Sequence, residues 1–193
     1  MRNHVQTSIE WKILCSIILL ATLSRIAIPP FIGHLPNFSA IDAIALFSGA
    51  YFAKRAMACV LVLLSVWIGD LCLNKMFMGH WELFYSGCFW QYGCYILITL
   101  LGSQLLKSNI SLSRVSAVAL FSSILFFAIS NFGVWCSGSL YPLTVDGLVA
   151  CYVAAIPFFK NTLFSDVFFS IVLFGSFQPI NTYLKSRLFN TSQ

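Results

Sequence analysis

Six long runs of mainly apolar residues constrain this chain more than any other feature. They cover about 13–28, 40–53, 56–73, 83–106, 115–135 and 164–184. The chain is 59% hydrophobic and only 9% charged, whereas soluble domains are roughly 25% charged. A soluble core of this size cannot bury so much apolar surface, so the pattern indicates a bilayer as the solvent. We predict an all-α integral membrane bundle of about six transmembrane helices, forming a single domain over residues 1–193.

Two apolar segments are shorter than a membrane span. As a helix, the run 40–53 would rise ~21 Å, against a hydrocarbon core of ~30 Å, so we expect it to pack closely against its neighbours. The stretch 148–159 is also too short to cross. We therefore expect a re-entrant or interfacial segment there, before the last helix.

The distribution of basic residues predicts the orientation of the helices. With a cytoplasmic N-terminus, the outer side carries Lys75 and Lys160 alone. The cytoplasmic side then carries the larger basic set: Arg2, Lys12, Lys54, Arg55, Lys107, Arg114, Lys185 and Arg187. This asymmetry follows the positive-inside rule and predicts that both termini are cytoplasmic. Arg25 lies where a signal-peptide cleavage site would fall, so we interpret the first run as a retained helix.

Sequence signatures of other functional classes are missing. The net charge of +5 is carried by basic residues scattered in ones and twos, so no nucleic-acid partner is expected. The sequence has no P-loop, dinucleotide fingerprint or nucleophile elbow, so we expect no enzyme, no catalytic residue and no cofactor. His34 and His80 lack metal-ligand spacing, and no metal is expected. Cys136 and Cys151 flank a loop, and whether they pair stays open.

Acidic residues gather on the outer side of the predicted topology. Glu10 is cytoplasmic, and the other acids lie at or near outer helix ends: Asp42, Asp70, Glu82, Asp146 and Asp166. Charges at membrane depth are costly unless they are paired or face an aqueous cavity. Arg25 lies within a span, and we expect it to line a pocket on the outer side, beside Asp42 or Asp70. The structural alternatives are acids favoured by helix dipoles and an Arg25 side chain that reaches the headgroups.

Aromatic residues occur at the same level as these acids. Glu82, Tyr85, Phe89 and Tyr92 follow i, i+3, i+7, i+10 spacing, which places them on one face if the segment is helical. An aromatic belt is the alternative, and it is favoured for Trp81 and Trp135. The functional hypothesis is a concave pocket that binds a flat heterocycle or a cation. Its candidate ligand-binding residues are Arg25, Asp42, Trp67, Asp70, Glu82, Tyr85, Tyr92, Asn131 and Asp166.

Three stretches carry a resemblance that extends over nearly the whole chain. They are 35–52 (LPNFSAIDAIALFSGAYF), 130–135 (SNFGVW) and 141–163 (YPLTVDGLVACYVAAIPFFKNTL). The chain resembles an uncharacterised family of small bacterial six-helix membrane proteins. That family is similar in fold to the substrate-binding S-components of energy-coupling-factor (ECF) vitamin transporters. The resemblance implies a multi-pass protein of the bacterial inner membrane.

The resemblance also implies a function and partners. An S-component captures a small solute on the outer side and passes it inward with an ATP-driven module on other chains. S-components typically carry an Ala-x-x-x-Ala docking motif in the first helix. The nearest small-residue pair in this chain is Ala45 and Gly49, in the second run. We therefore expect a solute-binding subunit of S-component type, and the alternative is a ligand-free structural or assembly protein of the inner membrane.

Overall fold

The computed structural model describes residues 37–108 and 110–190, with side chains up to residue 179, and scattered positions between 12 and 26. In the described part of the chain there are five continuous α-helices and no β-strand. They are α1 (Ile41–Tyr51), α2 (Arg55–Met78), α3 (Cys88–Leu105), α4 (Leu112–Cys136) and α5 (Val145–Asn190). The described positions between 12 and 26 are also helical, and Ile18 is buried in the core.

Three helices are long and apolar enough to cross a membrane. These are α2, α4 and the part of α5 that runs over Val145–Pro179. The finding agrees with the prediction of an all-α membrane protein. The prediction of six spans is not confirmed, because most of its first span lies outside the described residues and α1 is only 11 residues long.

Helix α1 lies at the centre of the described bundle. It contacts all four other helices, and every residue from Ile41 to Ala50 is buried. Its aromatic rings pack against α5: the ring of Phe47 lies 5.4 Å from that of Phe174 and 5.3 Å from that of Phe177. An 11-residue helix rises only ~16 Å, so α1 extends through about half the thickness of a hydrocarbon core.

Helix α3 begins later than the sequence predicts. The run 83–106 was expected to be helical throughout, but α3 starts at Cys88 and Gly87 precedes it with a φ of +87°. Few residues other than glycine adopt this left-handed conformation, and it interrupts helical geometry. Tyr85 therefore lies in the α2–α3 loop, and the predicted helical face that joins Glu82 to Tyr92 does not form.

The separate segment predicted over 148–159 is not confirmed. Those residues belong to α5, which continues from Val145 through Pro157 to Asn190. A proline in a helix interior removes one hydrogen bond and disfavours the helix. No glycine lies between Pro157 and Gly175 to end it. The helix continues, and its N-terminal part packs against α4.

Helices α4 and α5 run antiparallel with an uneven register. Near one end, Gln178 donates to the carbonyl of Ile110, and further along Ser123 contacts Asp166. The two contacts are separated by almost the same number of residues along α4 as along α5. On the N-terminal side of Asp166 the spacing differs, as the hydrogen bond from the thiol of Cys151 to the carbonyl of Asn131 shows. About twice as many residues of α5 as of α4 cover this stretch.

Candidate functional site

Two aspartates from different helices meet in the interior and form, with a serine, what we call the carboxyl cluster: Asp42, Asp166 and Ser123. The carboxyl groups of Asp42 and Asp166 are in contact with each other. Ser123 donates its hydroxyl to Asp166 Oδ2 over 2.5 Å. Asp42 is 4% exposed and Asp166 is 2% exposed. Cys94 of α3 lies near Asp42, so residues of four helices surround the pair.

The carboxyl cluster lies near the midpoint of α4 and well inside α5. Ser123 is close to the midpoint of α4, which has 25 residues. Asp166 was expected to open the last helix, but α5 begins at Val145 and places Asp166 well inside it. Asp42 does begin a helix, as predicted, but that helix is a half-length one whose first turn is buried. Asp166 therefore does not lie at the start of the last helix as predicted, whereas Asp42 lies at a helix start as predicted, and the membrane side of both stays a prediction.

A second group of predicted residues gathers at the loop between α2 and α3. This α2–α3 cluster consists of Trp67, Asp70, Glu82, Tyr85 and Tyr92. Asp70 is buried, and the hydroxyl of Tyr92 donates to its Oδ2 over 3.1 Å. Tyr85 lies beside Tyr92 and donates its hydroxyl to Gln91 over 2.9 Å. The sequence predicted that these residues share a level, and the structure brings them together.

The α2–α3 loop is fixed against α2 by hydrogen bonds to its backbone. Trp67 Nε1 donates to the carbonyl of Leu83 over 3.1 Å, and Asn74 donates to the carbonyl of Glu82. Cys88 lies near the carboxylates of both Asp70 and Glu82. Trp67, Glu82 and the two tyrosines stay partly exposed. The cluster thus combines two carboxylates with three partly exposed aromatic side chains.

Other predicted site residues lie apart from both clusters. Asn131 donates its side-chain amide to the carbonyl of Phe127 in its own helix, over 2.8 Å, so this bond does not join two helices. Arg25 lies outside the described residues, and its predicted place in a pocket stays a prediction. Trp135 Nε1 donates to the carbonyl of Pro142, which joins α4 to the loop before α5.

One groove of about 450 Å³ opens on the surface between α3 and α4. It is apolar and is lined by Phe89, Trp90, Gly93, Ile96, Leu97 and Ile129. None of the predicted site residues lines it. Phe89, predicted to share a face with Tyr92, is 71% exposed and stacks on Phe84 at 5.8 Å between ring centroids. In a membrane protein, such a surface is expected to contact lipid.

Sequence reasoning missed the polar residues that surround the carboxyl pair. Ser123 and Ser170 are fully buried. However, a serine within an apolar run is also common where two membrane helices simply pack together. One feature of the sequence could have indicated Ser170. Ser170 lies four residues after Asp166 and so shares its helix face. Without knowledge that α5 begins at Val145, that face could not be assigned to the interior.

The cysteines of the described residues are free thiols. Cys136 is exposed and Cys151 is buried. The thiol of Cys151 donates to the carbonyl of Asn131 over 3.4 Å. In this structure the two residues do not form the disulfide that the sequence left open.

Comparison with known proteins gives a family match. The model of DUF6580, described as a family of unknown function, matches residues 5–187. No curated protein matches the chain, and no solved structure matches it. The similarity in fold to S-components therefore stays a prediction from the sequence.

Proposed function

The chain belongs to the DUF6580 family of unknown function, and from that premise we propose that it is a solute-binding membrane protein of S-component type. Its site is the α2–α3 cluster, and its ligand is a small organic cation or a flat, positively charged heterocycle. The observation that carries this proposal is the buried carboxylate of Asp70, which accepts a hydrogen bond from Tyr92 in a cluster with the partly exposed rings of Trp67 and Tyr85.

Aromatic faces and carboxylates favour the same class of ligand. A cation over a ring is attracted by the negative π face, with ~0.5–1 kcal/mol at exposed sites and ~2 kcal/mol or more when desolvated. Asp70 and Glu82 add negative charge near Cys88, at the base of the loop. An anionic ligand would be repelled by both carboxylates. The cluster includes Glu82 and Tyr85 of the α2–α3 loop, and in this proposal a solute enters from the side of that loop.

In this proposal the site faces the outer side of a bacterial inner membrane, and both termini are cytoplasmic. The lipid bilayer surrounds the bundle, and uptake requires an ATP-driven module on other chains. That module cannot dock on Ala45 and Gly49, because both are buried against the rest of the bundle. Since the chain has no phosphate-binding loop, the purified protein alone should neither bind nor hydrolyse ATP. ATPase activity of this chain by itself would contradict the proposal.

A direct test measures ligand binding to the purified protein. Native mass spectrometry of the detergent-solubilised protein should detect copurifying cationic small molecules. Thermal unfolding is then followed with choline, an aliphatic cation, and thiamine, a flat heterocyclic cation. At a hundred times its Kd, a ligand stabilises the folded state by ~2.7 kcal/mol. We expect at least one probe to raise the melting temperature of the wild type.

Two charge-matched variants localise the site. Asp70→Asn should remove the response to the probe, because it deletes the carboxylate that attracts the cation. Asp146→Asn makes the same change on an exposed side chain in the first turn of α5, and it should respond as the wild type does. Equal responses of both variants would remove Asp70 from the site.

The second candidate is a ligand-free structural or assembly protein, and the close packing of α1 favours it. A Cβ atom at Gly49 would lie 1.9 Å from the carbonyl oxygen of Thr99, so the backbones of α1 and α3 are in direct contact. Such packing suits a rigid scaffold. Absence of any copurifying molecule, together with no stabilisation by cationic probes, would support this candidate over solute binding.

A further inference from the structure

Four buried hydroxyl groups of the described residues have no hydrogen-bond partner. They form what we call the hydroxyl row: Ser122, Ser170, Ser48 and Tyr51. A buried polar group without a protein partner costs about 1–3 kcal/mol, and such groups are usually bonded to ordered water. All four lie on α1, α4 and α5, the helices that also carry Asp42, Ser123 and Asp166.

The hydroxyl row lies on one side of the carboxyl cluster. Ser170 follows Asp166 by one helical turn on the same face of α5, and its Cα–Cβ bond leans back toward Asp166. Ser48 and Tyr51 lie further along α1, ~9 and ~13 Å from Asp42 at 1.5 Å per residue. The ring of Tyr51 packs on Phe177 at 4.5 Å. The row thus extends from the cluster to the end of α1 at which Lys54 and Arg55 begin the next segment.

The carboxyl cluster favours a bound proton. An ionised carboxylate only accepts hydrogen bonds, and Asp42 and Asp166 are two carboxyl groups in contact that are both buried. Two like charges this close disfavour ionisation of both. The donor to Asp166 from α4 is Ser123, a neutral hydroxyl.

We propose that the Asp42–Asp166 pair is a proton-binding site at middle depth, which exchanges its proton with the Lys54–Arg55 side of the membrane through water held by the hydroxyl row. Each transfer is a hop: a hydroxyl or water accepts a proton on its oxygen and releases its own proton to the next oxygen. No oxidant or reductant takes part. Ionisable groups within membrane spans commonly form such proton relays.

The groups that face this site come from every helix packed around it. Helix α3 contributes Cys94 beside Asp42, and α4 contributes Ser123 and Ser122. Helix α2 carries Asp70, but its carboxylate is bonded to Tyr92 in the separate α2–α3 cluster. The proton site is therefore independent of solute binding at that cluster, and either can exist without the other.

Infrared difference spectroscopy of the full chain in lipid bilayers tests the proposal. At neutral pH the wild type should show the C=O stretch of a protonated carboxyl group, shifted after transfer to D₂O. Asp42→Asn and Asp166→Asn should both lose this band. Each variant keeps a permanent N–H donor to the remaining carboxylate, so folding should be preserved, as circular dichroism will show.

Variants of the hydroxyl row test the path. Tyr51→Phe and Ser170→Ala should keep the carboxyl band but slow its hydrogen–deuterium exchange several-fold. The matched control is Ser176→Ala, on the same helix as Ser170, because Ser176 is exposed and bonds only the carbonyl of Val172 in its own helix. This control should exchange at the wild-type rate. A wild type without a protonated carboxyl band would overturn the site, and unchanged exchange in both Tyr51→Phe and Ser170→Ala would overturn the path.

Discussion

At the scale of single residues, two glycines determine how closely α1 and α3 approach. A Cβ atom at Gly102 would lie 2.3 Å from the carbonyl oxygen of Leu46, and one at Gly49 would lie even closer to Thr99. In both cases the neighbour is backbone, which cannot turn away as a flexible side chain can. Small residues at helix contacts are common in membrane bundles because they let backbones approach.

We expect Gly49→Ala to lower the free energy of unfolding by at least ~1–3 kcal/mol, the usual cost of overpacking a well-packed interior. Thermal unfolding in detergent measures the change. Gly93→Ala is the matched control on α3, because a Cβ atom there meets nothing within 4 Å, and replacing a helical glycine should stabilise by ~0.5–1 kcal/mol. If both variants unfold at the same temperature, α1 and α3 are not in backbone contact at Gly49.

The candidate residues were partly predictable one by one. The rarity of acids in apolar runs indicated Asp42, Asp70 and Asp166 from the sequence, because a charge at membrane depth needs a reason. The contact between Asp42 and Asp166 was not predictable, since it joins residues more than a hundred positions apart. Ser123 was not predictable either, because nothing in a run of apolar residues shows which serine faces a carboxylate.

At the scale of helices, hydropathy predicted the existence of elements better than their ends. The runs 40–53 and 115–135 correspond closely to α1 and α4. The start of α3 was missed because the conformation of Gly87, rather than hydropathy, determines it. The continuity of α5 was missed because the stretch 148–159 is too short for a span and was interpreted as a separate segment, whereas it forms one helix with the residues that follow.

The N-terminal part of α5, before Pro157, allows a prediction about how this helix packs on α4. The hydroxyl of Tyr152 donates to the carbonyl of Ala128 over 2.5 Å, so it joins α5 to α4 before Pro157. Tyr152→Phe should lower the free energy of unfolding by ~0.5–1.5 kcal/mol, the net value of a typical hydrogen bond.

The measurement is thermal unfolding in detergent, with Tyr141→Phe as control. Tyr141 lies in the loop before α5 and is partly exposed. Its replacement should leave stability nearly unchanged. A Tyr152→Phe variant as stable as Tyr141→Phe would indicate that 145–156 does not pack on α4 and would favour the separate interfacial segment.

At the scale of the whole molecule, the helices place the basic residues at opposite ends in unequal numbers. The α1–α2 junction carries Lys54 and Arg55, and the α3–α4 connection carries Lys107. These two connections lie on one side if α2 and α3 each cross the bilayer once. The α2–α3 cluster lies at the opposite end, and the hydroxyl row points toward the basic end. Both proposals therefore depend on which side of the membrane each end faces.

The membrane orientation is directly testable with fusions of alkaline phosphatase and green fluorescent protein. Fusions after Lys54, Lys107 and Gln193 should be fluorescent and lack phosphatase activity, because the basic residues near these points favour the cytoplasm. Fusions after Gly79 and Gly138, in the loops before α3 and α5, should show the opposite result. The opposite results expected after Gly138 and after Gln193 require that α5 crosses the membrane once. This follows if α5 is a single helix despite its two internal prolines. A periplasmic signal after Gln193 would mean that α5 does not cross or crosses twice, and it would remove the cytoplasmic C-terminus on which the predicted orientation depends.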